Sequence, residues 1–189
     1  MLITAGRSKE SIRRADYNFA VPLQPSLQSL PAGTTLITGT WAEQKPAARA
    51  VRHAVFVVEQ NIPVALEWDE WDDLSLHAVV FDAARHPVGT GRLLPASFDR
   101  TFPHTGHIGR MAVLGHARRA GVGGALLRAL MAAAPARGFR DIVLHAQSYV
   151  APFYARHGYV IEGDEFIEAG IAHRSMRAAL EPSNPENPR

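Results

Sequence analysis

The stretch from Ala117 to Leu130, ARRAGVGGALLRAL, sets three glycines and three arginines around the start of an apolar helical pattern. Glycines between a strand and a helix let a ligand approach the backbone. The unpaired amides of the first helical turn then point at that ligand, which favours an anion. Spacing separates the known phosphate loops. A Walker loop needs Gly-Lys-Ser/Thr, which this chain lacks. A dinucleotide fingerprint needs a third glycine where Leu126 stands, and an acidic residue on the next strand, where the chain reads Leu144-His145-Ala146-Gln147. What remains is Arg118-x-x-Gly121-x-Gly123-Gly124.

The rest of the chain bounds the problem. With 189 residues, one domain with a sizeable core is expected. Hydrophobic residues at 47% and charged residues at 20% are those of a soluble globular protein. A formal net charge of +2 gives no argument for nucleic acid. The absence of cysteine excludes a disulfide framework, a thiolate nucleophile and cysteine-ligated metal. No apolar run reaches membrane-spanning length, and residues 1–33 lack the apolar core of a secretory signal, so a cytoplasmic protein is the simplest expectation. Residues 1–33 read as a loosely ordered extension, docked through Tyr17, Phe19 and Leu23. Residues 181–189, rich in Pro and Asn, read as a disordered tail.

Between them, residues 34–180 read as one mixed α/β domain on a central sheet. TTLITGTWA is a strand. PAARAVRHAVFVVEQ is a helix started by Pro46, with Val51, Val55 and Val58 on one face beside Phe56. LHAVVFD and PVGTGRLL are strands joined by a turn at Ala84 to His86, and GHIGRMAVL is a third. A helix over residues 121–134 carries Leu126, Leu127, Leu130 and Met131 at core spacing. RDIVLHA is a strand, YVAPFYARHG a short helix ended by Gly158, and YVIEG with Phe166 to Leu180 the last strands.

In that setting the loop Arg118-x-x-Gly121-x-Gly123, after IGRMAV and before ALLRAL, resembles the acyl-CoA loop of GCN5-related N-acetyltransferases (GNAT). DIVLHAQSYVAPFYARHGY resembles the family's next block, a strand and then a helix with FYxxxGF/Y. The family often has Asn seven residues before that tyrosine, and here the position is Gln147. FIEAGIAHRSM, HAQ and RHAVFVVEQ resemble the ElaA-like subgroup. The likeness covers residues 35 to 178.

The resemblance implies the GNAT fold, a mixed and mostly antiparallel central sheet with splayed central strands and flanking helices. It implies acetyl-CoA as co-substrate, an amine of a small molecule or peptide as acceptor, and no metal. Met111, Ala112 and Val113 would pair with the pantetheine arm as an added strand. Arg118, Arg119, Ala120, Gly121, Val122, Gly123 and Gly124 would hold the pyrophosphate, with Gln147 beside the donor. Tyr154 matches the family tyrosine near the departing sulfur and is the general-acid candidate. For the base, His107 falls at the position of the histone-modifying branch's glutamate, if Met111 meets the thioester. An alternation of period two puts His107, Gly109 and Met111 on one face and Ile108, Arg110 and Ala112 on the other. Glu59 and His77 are further candidates, and many relatives use a water chain instead. A homodimer through edge or last strands is a further expectation, with residues 1–33 able to bridge subunits.

On the acceptor side, VEQNIPVALEWDEWDD gathers Glu59, Glu67, Asp69, Asp72 and Asp73 around Trp68 and Trp71. Carboxylates beside aromatics suit a cationic amine; an acidic surface loop is the plainer alternative. His77 opens the following strand. His145 belongs to a strand that is buried or lines the cleft, and His173 falls in the subgroup's ending. Both read as hydrogen-bonded structural histidines, and no pair has the HxxxH spacing of a zinc site. Arg52, Glu67-x-Asp69-x-x-Asp72 and Arg92 with Leu-Leu-Pro also resemble acyl-homoserine-lactone synthases, whose acidic residues serve S-adenosylmethionine. The glycine loop and FYxxxGY favour an ordinary acetyltransferase. A non-catalytic acyl-CoA sensor is the reading from another class.

Overall fold

A computed structural model describes residues 30–180. Tyr17, Phe19 and Leu23 and the tail 181–189 lie outside the described residues. In chain order the elements are β1 (Thr35–Gly39), α1 (Trp41–Arg52), a π-helical stretch (His53–Glu59), α2 (Val64–Glu67), β2 (Leu76–Phe81), β3 (Pro87–Leu93), β4 (Thr105–Val113), α3 (Val122–Ala133), β5 (Asp141–Gln147), α4 (Ala151–Ala155), β6 (Val160–Glu168) and β7 (Ile171–Ala179).

The seven strands form one sheet in the order β1-β2-β3-β4-β5-β7-β6. Every neighbouring pair is antiparallel except β4 and β5, which are parallel. That pair matches only at Thr105↔Asp141, Gly106↔Ile142 and His107↔Val143. Beyond it the two strands diverge, so the sheet opens at its centre.

Helices cover both faces. Leu126, Leu127 and Leu130 of α3 are fully buried in one cluster with Ala78, Val80, Ile108, Ile142 and Leu144. Val79, between Ala78 and Val80, points the other way and packs with Trp41 and Ala48 of α1. Val51, Val55 and Ala112 form a third cluster beside them.

Several local expectations are corrected. The first helix begins at Trp41, not Pro46. Glu43 accepts from the Thr40 backbone N–H at 2.7 Å and from the Thr40 hydroxyl at 2.9 Å, which fixes that start five residues earlier. Pro46 is therefore inside the helix, with no N–H to offer the preceding turn. Past Arg52 the winding loosens, and Gln60 N donates to Val55 O at 3.1 Å, five residues back. The wider turn carries Val58 out of the apolar face and leaves it 64% exposed. The last strands are also redrawn: Phe166 to Glu168 finish β6, and a two-residue turn at Ala169 (φ 48°) and Gly170 (φ 79°) leads into β7.

The most consequential correction is in β4. Thr90 pairs with Ala112 and Arg92 with Gly109, so Arg110 and Met111 together face Gly91. This is a β-bulge, with Arg110 at φ 52°. One extra residue resets the alternation. Ile108 and Met111 both pack on the α3 side, whereas Ala112 lies with Val51 and Val55 on the α1 side. His107 and Met111 therefore do not share a face.

Candidate active site

The open centre of the sheet holds a cleft of about 670 Å³. One wall is the end of β4, Met111 to Val113, past the last residue paired with β5. Facing it is the start of α3, where Gly121 at φ 81° takes a left-handed conformation open to glycine. The first α3 hydrogen bond runs from Ala125 N to Gly121 O at 3.0 Å. The amides of Val122, Gly123 and Gly124 thus precede the helical ladder and have no partner within it. A Cβ on Gly123 would lie 3.4 Å from Phe153, an ordinary contact, so packing alone does not demand glycine there.

Arg118, Arg119, Arg128 and Arg156 all line this cleft, and among the described residues no carboxylate does. The structure brings together Met111, Ala112, Val113, Arg118, Arg119, Gly121, Gly123, Gly124, Gln147 and Tyr154. Ala120 is not in the lining, and the Val122 side chain is buried in the main cluster under the loop. Arg118 is anchored from both sides. It donates to Val113 O at 2.9 Å and to Glu59 Oε2 at 2.6 Å. Glu59 lies outside both cavities, and the Arg118 hydrogen bond holds its carboxyl below the ordinary range, which weakens it as a base.

A second cavity of about 560 Å³ adjoins the first. Gln60, Met111, Gln147, Val150 and Tyr154 line both, and so form the throat between them. Tyr154 is buried there, edge-on to Phe153 at 4.9 Å and to Tyr159 at 5.8 Å. Burial pushes its phenol well above the usual range, so it stays protonated at neutral pH. Across the throat, Gln147 Nε2 donates to Gln60 Oε1 at 3.0 Å, and Tyr149 Oη donates to Gln147 Oε1 at 2.6 Å.

Glu67 and Asp69 of the acidic cluster line the second cavity, and both are bonded to the protein's own arginines. Arg52, fully buried, donates to Glu67 Oε1 at 2.5 Å and to Asp72 Oδ1 at 2.7 Å. Arg92 reaches Asp72 Oδ1 and Asp69 Oδ1, both at 2.6 Å. Arg110, turned into the second cavity by the bulge, contacts Asp69 Oδ2 at 3.2 Å and the Leu66 carbonyl at 3.2 Å. Three guanidiniums therefore face three carboxylates. Burial pushes the Glu67 carboxyl up against the pull of Arg52 and Arg110, whereas Asp69 is held low by Arg92 and Arg110 despite its burial. Trp68 is likewise occupied, with the guanidiniums of Arg49 and Arg52 at 4.4 and 4.7 Å from its ring, and it is absent from the cavity wall. Trp71 does line the cavity, edge-on to Phe98 at 5.2 Å.

The histidines divide. His77 is buried 4.7 Å from the Trp41 ring, with Nε2 2.8 Å from the Asp72 carbonyl, and reaches neither cavity. It is a core histidine, and burial lowers its proton affinity. His107 lines the second cavity, with Nε2 3.6 Å from Asp99 Oδ2 and its ring edge-on to Phe98 at 5.1 Å. That Nε2 is closed to solvent and has no hydrogen-bond partner among the described residues. Burial depresses its proton affinity and favours the neutral ring. His145 and His173 also line the second cavity.

Sequence reasoning missed Arg128, Arg156 and His157 in the first cleft, and Arg110, Glu168 and Phe98 in the second. Arg128 had a signal: it follows Gly121 and Gly124 at helical spacing on one face of α3. Arg110 had none, because the bulge that turns it inward has no sequence mark.

Known proteins align with this architecture. Residues 43–180 match the family model described as an acetyltransferase (GNAT) domain. A protein named uncharacterized N-acetyltransferase YjcF, of Bacillus subtilis (strain 168), is 43% identical over 135 residues, covering 71% of this chain and 91% of that protein. A crystal structure of a protein from Lactobacillus plantarum, titled as an N-acetyltransferase, superposes with a TM-score of 0.70 at 29% identity, covering 79% of this chain and 99% of that one. Escherichia coli ElaA superposes with a TM-score of 0.66 at 25% identity, covering 77% of this chain and 99% of that one.

Proposed function

The chain belongs to the GNAT acetyltransferases, alongside ElaA, and from that premise we propose that it transfers acetyl from acetyl-CoA to a primary amine by direct attack in a ternary complex. The observation that carries this reading is the throat, where two cavities of matching size meet at Tyr154, Gln147 and Met111. The first cleft suits the donor. Its free amides and four arginines offer the pyrophosphate what a bare glycine-capped helix does not need. The unpaired edge of β4 offers the pantetheine amides a strand to pair with.

The second cavity takes the acceptor. The amine nitrogen attacks the thioester carbonyl carbon, the C–N bond forms, and the C–S bond breaks. Tyr154, kept protonated by burial, gives its proton to the departing sulfur and is recharged by the second proton that the acylated nitrogen releases. The acceptor is not held by Glu67, Asp69 and Asp72, which are bonded to the protein's own arginines. For the same reason the synthase-like residues act as framework here.

Calorimetric titration with acetyl-CoA tests the donor assignment, followed by thiol release with a panel of primary amines. Binding that Gly123→Glu abolishes, together with amine-dependent turnover, supports transfer. Binding without turnover across the panel favours a sensor. No binding to acetyl-CoA or free CoA overturns the reading.

A further inference from the structure

We infer that the general base of this reaction is a His145–Glu168 dyad, in which Nε2 of His145 takes the acceptor's proton and Glu168 orients the ring. The inference rests on the acyl-transfer reading above and assigns its missing half.

Val143, His145 and Gln147 alternate along one face of β5, and all three line the acceptor cavity. Gln147 stands at the throat. His145 is therefore one pleat outward, about 7 Å along the strand. From there an imidazole reaches an amine at the throat directly or through one water. The backbone fixes the strand firmly, since β5 pairs with β7 from Asp141↔Ala179 to Gln147↔His173 without a slip.

The ring's orientation is set from β6. His145 Nδ1 lies 3.1 Å from Glu168 Oε2. An ionised carboxylate only accepts, so Nδ1 carries the proton and the lone pair is on Nε2. Glu168 is held ionised below its ordinary range, chiefly by that hydrogen bond. Phe166 stands edge-on to the ring at 4.9 Å and is itself stacked on His173 at 6.0 Å, so the imidazole is braced on a second side. This is the orienter–base arrangement that acyl-transfer chemistry uses repeatedly. The other titratable and charged groups around the dyad are His107 on β4, His173 on β7 and Arg110 at the bulge.

His107 is the weaker choice on geometry. Its Nε2 is closed off, 3.6 Å from Asp99. The His145 and Glu168 side chains are each about half exposed, 51% and 50%, so a proton received there can pass to solvent. The balance is simple. An ammonium acceptor gives up one proton before attack and a second after the C–N bond forms. One reaches solvent through His145, and the other ends on the CoA sulfur.

The test is the pH dependence of kcat/KM, read as thiol release from acetyl-CoA with primary amines as probes, for the native protein and for His145→Gln, Glu168→Gln and His107→Gln. His145→Gln should lose about 100-fold in kcat and its acidic limb, with acetyl-CoA affinity by calorimetry unchanged. Glu168→Gln should lose about 10-fold in kcat with acetyl-CoA affinity unchanged, since the ring loses the carboxylate that orients it. His107→Gln should keep the limb. Turnover in His145→Gln with the limb in place overturns the dyad alone, as does a limb that vanishes with His107. A native protein inactive with every amine overturns the transfer reading and the dyad with it. Thermal midpoints within a few degrees of native separate these outcomes from misfolding.

Discussion

The two cavities treat charge in opposite ways. The donor cleft is lined by four arginines and a helix N-terminus, with no carboxylate among the described residues of its lining. At the acceptor cavity, Arg52, Arg92 and Arg110 are bonded to Glu67, Asp69 and Asp72 at 2.5–3.2 Å, and Glu168 to His145. A lining of cations without carboxylates is a binding site for an anion supplied from outside. A closed set is a scaffold, and it leaves recognition to aromatic rings and histidines. Composition alone counts the same residue types in both; where the carboxylates stand separates them.

The largest expected effect breaks the closed set. Glu67→Ala leaves Arg52 buried and short of a partner, and should cost about 3–5 kcal/mol in denaturant unfolding. A loss under 1 kcal/mol in that measurement would mean the network is no scaffold. Next, Gly123→Glu puts a carboxylate into the donor cleft. Acetyl-CoA affinity should fall at least about 100-fold by calorimetry, with the unfolding midpoint nearly unmoved, because the site has room for a Cβ. Tyr154→Phe tests the boundary between the two. It should lower kcat about 100-fold at unchanged KM for acetyl-CoA. In the native enzyme the raised phenol keeps any basic limb from Tyr154 above the ordinary tyrosine range, so a fall in rate that begins near neutrality would contradict its role as acid.

Smaller effects sharpen the contrast. His77 binds its proton less readily when folded than when unfolded, so folding stability is full above pH 6.5 and declines as pH falls below it. The decline should be absent in a variant lacking His77, as read by urea unfolding at stepped pH. Smallest is Glu59→Gln, which frees Arg118. Its ion pair is exposed, so stability should change by less than about 1 kcal/mol, while acetyl-CoA binds up to about five-fold tighter. Weaker binding in calorimetry would mean Glu59 positions Arg118 more than it neutralises it.

The donor half was legible because its signals are local. Gly121 needs its left-handed φ, and the loop, strand and FYxxxGY block fall within about forty residues. The acceptor half was not, because its geometry depends on pairings distant in sequence. Glu67 and Asp72 read as an open acidic cluster until Arg52 and Arg92 arrive from α1 and β3. The β4 alternation failed at one extra residue, which sequence periodicity cannot register. His145 was passed over because Glu168, 23 positions away, comes beside it only through the β6–β7 hairpin.

The parting of β4 and β5 has a further consequence. After His107 and Val143 each strand presents a bare edge, a surface that proteins ordinarily shield because any extended chain can dock on it. Here those edges face inward, flanked by the amino end of α3 and by α4. A chain that docks there has to enter through the cleft, past the arginines that line it. The same gap that would make a sheet sticky to its neighbours is turned, by folding it inside the molecule, toward what the cleft admits.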